Sequence, residues 1–121
     1  MICHKGEIVM AMLEDELVKA AFRGFSRIVI LWFLSQKTLS GYGVSKELNK
    51  LTGWSFHSGV VYPLLYELEE NKLITGRWVR KGRRRIKYYS ATKRGLMVLE
   101  RVRELLKLPV KEVLKDFISE A

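Results

Sequence analysis

The sequence predicts a mainly α-helical fold with one small β-hairpin, and three observations between His57 and Ala91 carry that prediction. The first is a helical stripe: Val61, Leu64, Leu65 and Leu68 fall at i, i+3, i+4 and i+7. The second is a change of period. From Leu73 to Lys81, and again from Arg85 to Ala91, the residues are β-branched, aromatic or long and basic, as in two short strands. The third is Lys81-Gly82-Arg83 between them, which has the composition of a turn. A helix followed by a hairpin with a cationic tip is the layout of a winged helix-turn-helix. It offers a helix to a DNA groove and a basic loop to the neighbouring phosphates.

Taken in order, a first helix is predicted over Glu7 to Phe22, with Ile8, Met12, Leu13 and Leu17 sharing a face. Gly24 predicts a break, and a second helix follows from Phe25 to Ser35, apolar enough to be the centre of a small core. Its run Ile28 to Leu34 is seven residues, against the roughly 20 that a membrane span needs. Lys37 to Gly41 reads as a turn, with Ser40 or Thr38 capping a third helix on which Tyr42, Val44, Leu48 and Leu51 can be buried. Gly53 ends it, because glycine best tolerates the left-handed conformation after a helix.

Trp54-Ser55-Phe56 then crosses to the helix of the stripe, with Ser58 as its N-cap. Pro63 lacks an amide donor, so this helix begins only a little earlier or is distorted there. After the hairpin, Thr92 caps a helix to about Lys107, with Leu96, Leu99, Val102 or Arg103, and Leu106 in a stripe. Pro109 starts a last helix, Val110 to Ser119, whose Val113, Leu114, Phe117 and Ile118 stay exposed unless paired.

Charge sharpens the functional expectation. The net charge of +9 and pI near 9.9 imply only a polyanionic partner or an adhesive surface. Location says more. No acidic residue lies between Asn71 and Leu99, whereas ten lysines and arginines do, seven of them within Arg77 to Lys87. A merely solvated face mixes signs, because like charges crowded on a hairpin repel. Phosphate contact is the expected use of Arg80, Lys81, Arg83, Arg84, Arg85 and Lys87.

Other classes fall away. One cysteine, Cys3, excludes an internal disulfide framework and fits the reducing cytoplasm. Cys3-His4 falls short of a zinc site, since His57 is the only other histidine and zinc needs three or four protein ligands. No cofactor is expected. There is no P-loop and no nucleophile with a nearby histidine, so the chain is not read as an enzyme. The apolar run follows Arg27 without a small-residue cleavage pattern, so it is not read as a signal peptide.

The stretch Leu39-Ser-Gly-Tyr-Gly-Val-Ser-Lys-Glu-Leu48, then Gly59-Val-Val-Tyr-Pro-Leu-Leu-Tyr-Glu-Leu-Glu69, Leu73-Ile74 and Lys87-Tyr-Tyr-Ser-Ala-Thr-Lys-Arg-Gly95 closely resembles the PadR-like transcriptional regulators. The resemblance covers about Phe25 to Gly95. It departs from the family at Asn71-Lys72, where a glycine usually ends the helix, and at Ala91, where leucine is common. The resemblance implies a homodimeric repressor whose helix Ser58 to Asn71 enters the major groove while the wing follows the minor groove or backbone. It also matches Gly59, Val60, Tyr62 and Tyr66 to positions at or near the DNA, beside Ser58 at the helix start. Packing against the preceding helix is the alternative for Tyr62.

The expected organisation is an N-terminal dimerisation helix (1–24), a DNA-binding domain (25–95) and C-terminal dimerisation helices (96–121). The expected function is a regulator that binds a palindromic operator in double-stranded DNA as a homodimer. The alternative is a winged-helix module for RNA or for a protein of the transcription machinery. Some related repressors take a small aromatic effector near the dimer interface. Trp32, Trp54 and Trp78 invite that thought, but packing is the preferred reading of them.

Overall fold

The computed structural model describes residues 15–120 except Trp54 and His57, and of Ser58 only the backbone. It begins with helix α1, Glu16–Gln36. Asp15 is extended and caps it, its carboxylate accepting from the amides of Leu17 (2.9 Å) and Val18 (3.4 Å). The expected helix from Glu7 therefore does not run through Asp15, and Ile8, Met12 and Leu13 lie outside the described residues. The expected break at Gly24 is also absent, and α1 passes straight through it. An interior glycine costs a helix only about 1 kcal/mol relative to alanine. Burial of Ile30, Leu31 and Leu34 on the same helix outweighs that.

A two-residue strand β1, Leu39–Ser40, leads into helix α2, Gly41–Thr52. Of the two candidate caps Ser40 serves, its hydroxyl accepting from Gly43 N at 3.0 Å. Gly53 closes α2 in the left-handed region, at φ 74°. Val44 and Leu48 are buried as expected. Tyr42 and Leu51 are not, with exposures of 70% and 58%. The inward face is Gly41, Val44, Ser45 and Leu48; Tyr42 lies off it and Leu51 overhangs the core from the last turn. Asn49 ties down the connection by accepting the Phe56 amide at 2.6 Å, and the Phe56 ring stacks on Phe22.

Helix α3, Ser58–Glu70, buries the whole predicted stripe, Val61, Leu64, Leu65 and Leu68. The helix starts five residues before Pro63, which therefore sits beyond the tolerant first turn and cannot bond the carbonyl of Gly59. The other end closes without glycine. Lys72 takes the left-handed conformation at φ 63°. Its amide bonds Glu69 O and that of Leu73 bonds Leu68 O, both at 2.9 Å, which completes a Schellman motif.

Strands β2, Ile74–Lys81, and β3, Arg84–Ala91, form the expected hairpin, in register from Ile74↔Ala91 to Lys81↔Arg84. The turn is Gly82-Arg83, with positive φ at Gly82 only, the sign pattern of a type II′ turn. β1 adds a third strand on the other side of β3, pairing Leu39 with Tyr89 and Ser40 with Tyr88. Ile74 and Tyr89, on the inner face, join α1, α2 and α3 in one core.

Helix α4, Lys93–Leu105, follows with Thr92 as cap, and packs Leu99 onto α1. Helix α5, Val110–Ser119, buries nothing. All four members of its expected stripe, Val113, Leu114, Phe117 and Ile118, are exposed.

Candidate nucleic-acid interface

One side of α3 is fully spent on the core, which leaves Gly59, Tyr62 and Tyr66 facing outward. Tyr66 is the more open of the two tyrosines, at 65%. Val60 is half-buried and packs at the edge of the core. Tyr62 packs against the preceding helix, the alternative foreseen for it, and still keeps an open side. Its ring lies so close over Gly41 that a Cβ there would come within 2.5 Å of ring atoms, yet the side chain remains 47% exposed. Among the described residues Gly59 has no neighbour within 4 Å of where a Cβ would be. Ser58 is the first residue of the helix.

The wing beside it carries exposed Arg77, Arg80, Lys81, Arg83, Arg84 and Arg85. Among the described residues no carboxylate forms an ion pair with any of these six. The strand register even sets like charges opposite each other, Arg80 against Arg85 and Lys81 against Arg84. Such pairs are unfavourable in isolation and are relieved by an external anion. The partners these cations do have are mostly rings: Arg85 over Trp78 at 5.1 Å and Lys81 over Tyr88 at 5.6 Å. A ring orients a cation without cancelling its charge. Arg80 also donates to Gly82 O at 3.3 Å across the turn.

Lys87 differs from the other wing cations. Its ammonium donates to Glu69 Oε1 at 2.9 Å and lies over the rings of Tyr89 and Trp78. The hydrogen bond from Lys87 to Glu69 holds the lysine pKa above its ordinary value, against the effect of burial. Of the other two acids at that end of α3, Glu67 is held by Arg23 and by Arg27 at 2.9 Å, and Glu70 is exposed with no ion pair among the described residues. Glu67 and Glu69 are thus each neutralised by a cation outside the wing tip.

Between the start of α2, α3 and the wing lies a groove of about 950 Å³, walled by Tyr42, Tyr62, Trp78, Arg84 and Arg85 among others. In the sequence Tyr42 reads as core, and Trp78, weighed there for an effector pocket, reads as packing. Their exposure, 70% and 55%, appears only in three dimensions. Among the described residues no three metal-ligating side chains cluster, and no helix is long and apolar enough to cross a membrane.

Residues 30–101 match the family model described as "Transcriptional regulator PadR-like family". The chain is 36% identical over 87 residues to the transcriptional regulator YqjI of Escherichia coli, a match over 70% of this chain. It spans only 41% of that relative's length. Among solved structures it is similar to a PadR-like transcriptional regulator from Bacillus cereus, with TM-score 0.66 and 29% identity, covering 88% of this chain and all of that one. A PadR family transcription regulator from Clostridium difficile aligns with TM-score 0.68 and 25% identity over 78% of this chain and 98% of that one.

Proposed function

Since the chain belongs to the PadR-like family of transcriptional regulators, we propose that it is a repressor that binds a palindromic operator as a homodimer in the cytoplasm. The observation that carries this reading is the wing: six exposed cations without carboxylate partners among the described residues, beside the outward face of α3. In this reading α3 enters the major groove with Gly59, Tyr62 and Tyr66 foremost and Val60 at the edge, and helix-start amides from Ser58 onward face phosphate. Arg80, Lys81, Arg83, Arg84 and Arg85 hold the backbone. Lys87, already engaged with Glu69, is not assigned a phosphate.

Dimerisation falls to the outer helices. The open stripe of α5 supports this, as does the adjoining cleft of about 480 Å³ walled by Trp32, Phe33, Leu51, Leu99 and Leu106. Trp32 is 46% exposed there and is not core. A small flat aromatic effector fits the chemistry of such a cleft once a second subunit closes it.

The test is selection of bound fragments from random duplex DNA, followed by anisotropy titration of the enriched sequence. Enrichment of a two-fold symmetric motif is expected. Equal binding to all duplexes, or preference for RNA, would sink the reading.

A further inference from the structure

Glu69 belongs to the last turn of α3 and Lys87 to the middle of the central strand, and among the described residues they form the one ion pair between that helix and the wing. The surroundings are built for it. Lys87 faces Trp78 across the hairpin, its ammonium lies 5.9 Å from that ring and 5.2 Å from the Tyr89 ring, and Arg85 lies over Trp78 in turn. Gly76 makes room for it: a Cβ at that position would come within 2.2 Å of Lys87 Cε. Both charged side chains are largely screened, with exposures of 26% for Lys87 and 33% for Glu69. A line of contacts therefore runs from α3 through Glu69, Lys87 and Trp78 to Arg85 near the wing tip.

We propose that the Glu69–Lys87 pair is a positioning device: it fixes the angle of the wing on α3 so that Arg84 and Arg85 meet phosphates while α3 sits in its groove. Lys87 acts through the wing and does not itself hold a phosphate. The inference rests on the DNA-binding reading above. Its physical basis is that a two-stranded ribbon is easily twisted about its base, whereas a screened ion pair at mid-strand ties the ribbon to a rigid helix.

The two roles for Lys87 predict opposite signs for Glu69→Gln. If Lys87 were a phosphate ligand restrained by Glu69, removing the carboxylate would free the lysine, lower the local negative charge and tighten binding. If the pair positions the wing, the same change weakens binding although the protein becomes more positive. Glu69→Gln, Lys87→Met, the double variant and the reversed pair Glu69→Lys/Lys87→Glu are titrated against the selected duplex over a salt series.

Each single change is expected to weaken binding roughly five- to thirtyfold, as expected for residues in contact. The double variant is expected to be no worse than either, and the reversed pair to recover most of the loss. The salt slope is expected to fall by more than the ~0.9 per subunit of one lost phosphate contact, because the wing arginines move with the hairpin. Unchanged or tighter binding by Glu69→Gln, or no recovery in the reversed pair, overturns the proposal. Should wild type fail to bind duplex DNA, the functional reading fails, and amide exchange then judges the clasp alone. Faster exchange in the hairpin of Glu69→Gln, with the core protected as in wild type, supports it, and an unchanged hairpin overturns it.

Discussion

The hydroxyl of Thr92 donates to the carbonyl of Lys72 at 2.6 Å, and the same oxygen accepts the amide of Gly95 at 3.0 Å. One side chain thereby caps α4 and fastens it to the chain leaving α3. Two further bonds reinforce the link, the Thr92 amide donating to Leu73 O at 3.0 Å and the Arg94 side-chain Nε donating to Asn71 O at 3.2 Å. The helix proposed to read DNA and the helices proposed to dimerise therefore share an anchor. In a dimer formed as proposed, this corner would hold α3 to α4, and so to the neighbouring subunit.

Gly95 exists for that corner. A Cβ on it would lie 2.0 Å from Leu73 O, a backbone atom that cannot step aside. Gly95→Ala is expected to destabilise the fold by about 2–3 kcal/mol, through overpacking and loss of the Thr92 contacts. Chemical denaturation checks it, and a midpoint equal to that of wild type would mean the corner is soft.

Lys72 gives the opposite expectation. A non-glycine residue in the left-handed region costs about 1–2 kcal/mol, and part of that returns when glycine replaces it. Lys72→Gly keeps both Schellman bonds and is expected to stabilise the protein by about 0.5–1 kcal/mol. Thermal melting at equal protein concentration reads this as a rise of roughly 2–4 °C. A fall would show that the lysine side chain does something the backbone argument omits.

These two positions show what was legible in the sequence and what was not. The α3 stripe, the hairpin and the caps Ser40 and Thr92 are local signals, and the structure has each of them. The positive φ of Lys72 is partly legible, as a lysine at the usual place of a helix-ending glycine. β1 is not, because two residues carry no period and their pairing with Tyr88 and Tyr89 is set by tertiary contact. Gly24 misleads, since a glycine inside a helix resembles one that ends it until packing decides. At the candidate site the cationic tip is plain in the chain, but the bond from Lys87 to Glu69 spans 18 positions and reads in sequence as one more wing charge.

The open stripe of α5 carries the dimer prediction. Phe117 is 72% exposed, and covering such a side chain contributes about 1.5–3 kcal/mol in each subunit. Phe117→Asp, and deletion of residues 109–121, are both expected to shift a micromolar dimer towards monomer. Sedimentation velocity over a concentration series measures it. A wild type that is already monomeric at micromolar concentration would remove the dimer from the proposal.

The wing supplies the last prediction. Arg83, Arg84 and Arg85 are exposed at the tip, and among the described residues no carboxylate pairs with them. If each touches a phosphate, a dimer loses up to six contacts when all three become alanine. Counterion release then predicts a log–log salt slope smaller by as much as ~5. Fold stability should hardly move, since exposed charges at a hairpin tip contribute little to it. Removing the like-charge pair Arg84 and Lys81 even favours the hairpin slightly. Preference for the selected sequence should survive, because phosphate contacts position the protein without reading bases. Affinity for one duplex across a salt series, wild type against the triple variant, tests this. Parallel lines would mean that the arginines are solvated and that the positive face of this wing serves some other anion.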